Sequence, residues 1–427
     1  MIRPRSPTPE FRLLCLGSRR RTPEVETALR LVATEIGDWK RVIRGAEIHH
    51  VVPLLARPFE TPGGDAFPAE VRELLTASHR QQARRCLAQV AEGMRLTQVL
   101  ADGGIRAMVL KGVPLSQQIY GDPSLRGLGD IDLLVDPARF SEARERIAAL
   151  GYRPADVRGG DVHAVGDTNT LIRELVFRHP DGVLLELKRR LTQDPAAPPI
   201  DFESLWRDRR RVEEWGRPVW TPSAEHNALY LVVHGALHGW SRLRWIVDVE
   251  EVFADPDFRQ RVLSLARTME LYPAVAEAIA LSGFLMGDGE GVPRCYTDEP
   301  INRLIVWSLA GCPRPWAWPR PQWPLDTGAQ GGRCVKYCAR RYYRWFLAGD
   351  VWAWAPSPAG AAWHDLRELR LRWCRYTLRR NWRGAWSQFK MDLADPVDWS
   401  IFRLSPSWRW LYPFLRPLGW VLRRLRR

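Results

Sequence analysis

Apolar residues recur at helical spacing through ETALRLVATEIGDWKRVIRGAEIHHVVPLLARPF (26–59) and again through 67–102, so the first hundred residues read as helices. Gly103-Gly104 supplies the stop, as a glycine just past a helix end does. The period then changes. IRAMVLKG (105–112) and DIDLLVD (130–136) are short buried-strand candidates, separated by a helix-like VPLSQQIYGD. PARFSEARERIAALGY predicts a helix opened by Pro137 and closed by Gly151. ELVFRHPDGVLLELKRRL (174–191) predicts a hairpin turning at His179-Pro180-Asp181-Gly182. Strand, helix, strand, helix and hairpin describe a small sheet with helices packed on one face. After the proline-rich DPAAPPID (194–201) the pattern is helical again, with a helix over about Pro222–Gly239, Thr221 as its N-cap and Pro222 at its first position.

The resulting expectation is an α+β fold whose small mixed sheet is flanked by N-terminal and C-terminal helical regions. Its parts are a helical region over 1–103, an α/β core over 104–193 and a helical domain over 194–311 that completes the cleft. A Pro/Trp/Gly-rich linker over 312–332 and a basic, Trp-rich region over 333–427 follow.

Composition adds class limits. At 427 residues the chain holds two or three domains, and 45% hydrophobic with 26% charged residues is ordinary for a soluble protein. Seven scattered cysteines include one CxxxC, Cys334–Cys338, without a second pair to complete a zinc site. The first 21 residues lack the apolar stretch of a signal peptide, and no apolar run reaches spanning length. These features predict a cytoplasmic protein. Charge is uneven: residues 333–427 hold 20 Lys and Arg against 6 Asp and Glu, an excess equal to the whole chain's net +14, with 11 of the 21 Trp. Arg–Trp mixtures suit an anionic membrane surface, where indoles sit at the interface, or nucleic acid, where aromatics stack on bases. Helices whose tryptophans pack inward and whose arginines are solvated give the same composition. The membrane option would place the protein peripherally at the inner membrane face.

The sharpest chemical signal is the pair Asp130 and Asp132. Alternation along a strand sends both to one face and Ile131, Leu133 and Val135 to the other. Like charges roughly 6–7 Å apart along a strand repel unless neutralised, and a hard divalent cation, Mg²⁺ or Mn²⁺, is the usual partner for carboxylates. Glu186, on the strand expected alongside, offers a third acid, and three carboxylates on adjacent strands can hold two Mg²⁺ ions for in-line phosphoryl chemistry. A solvated pair of aspartates balanced by Arg126 is the plainer alternative. Lys111-Gly112 at the end of the first strand, where backbone can approach a phosphate, and Arg126 both favour the former.

With these residues in view, VLKGVPLSQQIYGDPSLRGLGDIDLLVDPARFSEARERIAALGY resembles the bacterial nucleotidyltransferase-like proteins of the DNA polymerase beta superfamily. GDWKRVIRGAEIHHVVPLLARPF resembles that family's N-terminal helices, and ALYLVVHGALHGWSRLRWIVDVEEVF its later helix pair, so the likeness covers roughly residues 35–255. The resemblance implies a nucleotidyltransferase fold with Asp130 and Asp132 as metal ligands and Glu186 as third acid. Lys111, Gly112, Arg126 and Lys188 would bind the nucleoside triphosphate, and His234, Arg242, Arg244 and Asp248 would line the cleft. Two departures stand out: Val113 follows the glycine where a small residue is common, leaving Ser116 or a backbone N–H to meet phosphate, and Lys188 stands where Glu-x-His is frequent. His226, His234 and His238 fall on one helix face, a spacing that suits core or cleft packing better than a metal site. The expected activity is Mg-dependent transfer of a nucleotidyl group from an NTP to an acceptor. The alternative is an adaptor with a weak or inactive site, associated with a membrane surface through its basic tail.

Overall fold

A computed structural model describes residues 8–57, 66–126, 129–155, 173–191, 200–212, most of 218–286 and scattered positions between 402 and 418. The linker at 312–332 and nearly all of the basic region lie outside the described residues.

The N-terminal region is helical: α1 (Pro9–Gly17), α2 (Pro23–Ala33), α3 (Trp39–Ile48), α4 (Val52–Ala56) and the 34-residue α5 (Ala69–Asp102). Thr8, Thr22 and Asp38 cap the first three through their side chains, and Pro9, Pro23 and Pro53 occupy first-turn positions that need no N–H donor. At the end of α5, Gly104 has φ +70° and the Ile105 N–H reaches back to the Leu100 carbonyl, the glycine stop expected from the sequence.

β1 (Ala107–Val109) leads into α6 (Gly112–Tyr120), then β2 (Ile131–Val135) and α7 (Phe140–Ala149). β3 (Arg153–Pro154) precedes the hairpin of β4 (Glu174–Arg178) and β5 (Leu184–Lys188). In its turn the His179 N–H donates to the Val183 carbonyl and the Gly182 N–H to the His179 carbonyl, with Gly182 at φ +89°. The five strands form one mixed sheet ordered β1-β2-β5-β4-β3, in which β2 and β5 are parallel and the other neighbours antiparallel. One face is the core: Ile131, Leu133, Val135, Leu175, Phe177, Leu185 and Leu187 pack with Leu96 and Leu100 of α5 and Phe140, Ala143 and Ile147 of α7. Each such aliphatic contributes about 1.5–3 kcal/mol by leaving water. This is the expected α+β architecture, a small mixed sheet with flanking helices.

Further on come α8 (Phe202–Arg207), a small ribbon of β6 (Arg210–Val212) and β7 (Val219–Thr221), and α9 (Ala224–Leu237). α10 (Leu243–Val252), α11 (Pro256–Thr268) and α12 (Tyr272–Met286) complete the described helices. One correction concerns the start of α9. Thr221 ends β7 and gives its hydroxyl to the Val109 carbonyl, so Ser223, whose Oγ accepts from the His226 N–H, is the cap instead. The described residues fall into two compact units that interleave along the sequence. One comprises 8–84, 119–126 and 231–286; the other comprises 85–118 and 129–230 and contains the sheet. Among the described residues no helix is long and apolar enough to cross a membrane.

Candidate active site

The strand register builds the site. Parallel pairing of β2 with β5 sets Asp132 opposite Glu186, and antiparallel pairing of β4 with β5 sets Glu174 opposite Lys188. Because side chains alternate, these residues stand on the face opposite the apolar core. Asp130, just before β2, joins them: ligand oxygens of Asp130, Asp132 and Glu186 lie within 4.8 Å of one another. Among the described residues this is the one group of three potential ligands with converging donor atoms. Every residue of β2 is buried, Asp132 included at 3% exposure, while Asp130 and Glu186 are half-buried. The donor set is all carboxylate oxygen and partly open, which fits a hard divalent cation.

Two lysines share the acid cluster. Lys111 Nζ lies 2.8 Å from Asp132 Oδ2, and Lys188 Nζ lies 3.1 Å from Asp132 Oδ1, the latter an ion pair without hydrogen-bond alignment. Lys188 also donates to Glu174 Oε2 at 2.6 Å and to Glu186 Oε2. Glu174 takes a further bond from Arg173. Burial alone would raise the Asp132 pKa, but Lys111 and Lys188 outweigh it and hold the carboxyl below its ordinary value. Glu174 is held well below its ordinary value in the same way, with Arg173 and Lys188 overcoming burial. Glu186 differs. Burial, opposed by Lys188 and reinforced by Asp132, Asp130 and Glu174, raises it to about 7. Lys188, although buried, is driven well above its ordinary value by Tyr230 and the three surrounding carboxylates.

The turn after β1 brings Lys111 to Asp132. Lys111 and Gly112 have φ of +35° and +43°, and the Lys111 carbonyl accepts from Leu115 to open α6. A left-handed lysine is strained by about 1–3 kcal/mol. Val113 packs with Cys86, Val90 and Met94, so its side chain is taken up by α5, and Ser116 is fully buried on α6. A small cavity runs alongside, lined by Gln89 and Gly93 of α5, Gly112, Val113, Asp130 and Asp132.

The remaining expected residues belong to the other unit. Arg126, 3% exposed, donates Nε to Asp248 Oδ2 at 2.8 Å, and Tyr120 donates its hydroxyl to Asp248 Oδ1 at 2.8 Å. Arg126 therefore reaches a phosphate only by leaving a buried ion pair. Arg244 donates to the Arg126 carbonyl and Arg242 to the Ile48 carbonyl. The His234 and His238 rings lie 4.4 Å apart, tilted at 49° to each other, and both meet the Trp245 ring.

Glu174 and Arg173 are absent from the sequence reading. A signal existed for the first: a hairpin centred on Asp181 pairs position 174 with 188, which places an acid across from the lysine.

Comparison with curated proteins and with solved structures finds no match. A family model described as an uncharacterised nucleotidyltransferase matches residues 36–287, which contain the whole sheet, the acid cluster and the helices around them. That match spans more than half of the chain, and with the mixed sheet and the three convergent carboxylates it establishes that the chain belongs to this nucleotidyltransferase family.

Proposed function

We propose that the protein transfers a nucleotidyl group from a nucleoside triphosphate to an acceptor nucleophile with the help of Mg²⁺ or Mn²⁺ held by Asp130, Asp132 and Glu186. The observation that carries this reading is the convergence of those three carboxylates from β2, its approach and β5. A bound divalent ion supplies positive charge to the phosphate oxygens and to the departing pyrophosphate. The chain's own residues do the rest. The Lys111-Gly112 turn presents backbone at the cluster's edge, where a triphosphate can approach closely. Lys111 and Lys188 keep Asp132 ionised and fixed in place. Glu186 either completes the metal site or takes the proton of the acceptor hydroxyl. Catalysis is then mainly positioning and charge stabilisation.

The test is Mg²⁺-dependent pyrophosphate release from NTPs with candidate acceptors, comparing wild type with Asp130→Asn/Asp132→Asn. Equal turnover by the double variant overturns the assignment.

One observation favours a second reading, an adaptor with a weak or inactive site: both Asp132 oxygens already face ammonium groups. Calorimetry separates the two, since an inactive site gives no metal-dependent heat on NTP addition. The basic region 333–427 is proposed to meet an anionic membrane surface ahead of nucleic acid, with tryptophans packed on the body as the plainer alternative. Its removal should abolish sedimentation with anionic liposomes.

A further inference from the structure

Lys188 sits where a cation belongs. Its ammonium meets Asp132 Oδ1, Glu174 Oε2 and Glu186 Oε2, three carboxylates on three neighbouring strands, and the residue is only 2% exposed. A buried ammonium cannot leave such partners for water without moving the chain, and removing it strands uncompensated charge. Lys111 takes the remaining oxygen of Asp132, and Arg173 the other side of Glu174. Asp130, Asp132, Glu174 and Glu186 together carry four negative charges when ionised, against three positive ones on Lys111, Lys188 and Arg173. Lys188 thus fills with a fixed positive charge the space between Asp132, Glu174 and Glu186 that a second dication would otherwise occupy. A three-carboxylate site without these cations would draw a pair.

We infer that Lys188 is a built-in replacement for the second metal ion, so that this chain takes one divalent cation where three bare carboxylates would hold two. The inference rests on the metal-site reading above and deepens it. Lys188 is here a positioning residue: it fixes Asp132 and Glu186 and supplies fixed charge. It also gives a physical role to the departure at this position, where a lysine follows the third acid by two residues.

The experiment counts ions without reference to turnover. The full chain is titrated with Mn²⁺ in the absence of phosphate, and bound Mn²⁺ is counted from the loss of the free-ion electron paramagnetic resonance signal. Wild type is expected to hold one Mn²⁺ per chain with no Mn–Mn coupling. Lys188→Met, which keeps length and removes charge, is expected to hold two with a coupled spectrum, and Lys188→Arg is expected to remain at one. Two coupled ions in wild type overturn the inference while leaving the metal-site reading intact. No bound ion overturns both. A folded Lys188→Met that still holds a single ion also overturns the inference, and the wild-type count decides the matter if that variant does not fold.

Discussion

Arg126 and Asp248 form a fully enclosed ion pair, Nε to Oδ2 at 2.8 Å, with side chains 3% and 0% exposed. Asp248 is also bonded by Tyr120, and the Arg126 carbonyl by Arg244, so the short segment before β2 is tied to α10 by three separate contacts. Removing one partner of such a pair leaves a buried charge alone, at a cost of about 3–5 kcal/mol. Arg126→Met should therefore lower the urea unfolding midpoint strongly, and Arg126→Met/Asp248→Leu should recover much of the loss. A midpoint for the single variant equal to wild type would show that the pair contributes nothing to stability.

Glu174 holds Lys188 from the far side of the cluster. Glu174→Gln keeps shape and a hydrogen-bond acceptor but removes the charge that anchors the ammonium. Residues supporting a metal site from behind typically change affinity or activity by about 10–100-fold. The expected outcome is a loss in that range in both Mn²⁺ affinity and pyrophosphate release, together with a lower melting temperature, because Arg173 and Lys188 lose a buried counter-charge. Unchanged affinity and release would reduce Glu174 to a structural role.

Strand period and turn chemistry made the core of this fold readable. Ile131, Leu133 and Val135 alternate with Asp130 and Asp132, and the His179–Gly182 turn fixes the hairpin register, so the three acids were identifiable before any coordinates. What the chain does not reveal by pattern is which cations go where. Lys111, Arg126 and Lys188 are alike as basic residues near acids. Their separation into two on Asp132 and one on Asp248 depends on tertiary packing that no local period encodes. The cap of α9 failed for a related reason: Thr221 is a good N-cap by type, but pairing with Arg210 in the β6–β7 ribbon claims its backbone first.

Gly235 on α9 is required by a close approach. A methyl group there would lie 2.3 Å from Trp240 Cζ3, and the Trp240 ring is buried with its backbone N–H on the Gly235 carbonyl. A rigid indole cannot give way as a flexible side chain would. Gly235→Ala should cost about 1–3 kcal/mol through overpacking, read as a lower thermal midpoint. An unchanged or raised midpoint would mean that the α9 terminus relaxes freely around the added methyl.

Acid stability should depend on His49. Its Nδ1 accepts from the Leu243 N–H at 3.3 Å, and the ring is fully buried, so the neutral form is built in. Burial, then Arg242, depress its pKa to about 4, and burial with Arg244 and Arg242 depresses the adjacent His50 to about 3. Both native values lie below the ordinary histidine value of 6.5, so the unfolded chain binds protons that the native one refuses. Their stabilisation is complete above about pH 6.5 and is lost as pH falls towards 4. Glu186 acts in the opposite sense: raised to about 7, it favours the folded state below the ordinary carboxyl range and loses that contribution as pH rises towards 7. A single wild-type profile therefore mixes the two, and the informative quantity is a difference between proteins. His49→Asn keeps an acceptor for Leu243 and removes the titration, so the loss of unfolding free energy between pH 7 and pH 4.5 should shrink by about 2 kcal/mol. Parallel profiles for wild type and variant would show that His49 takes up its proton without opening the α3–α10 contact.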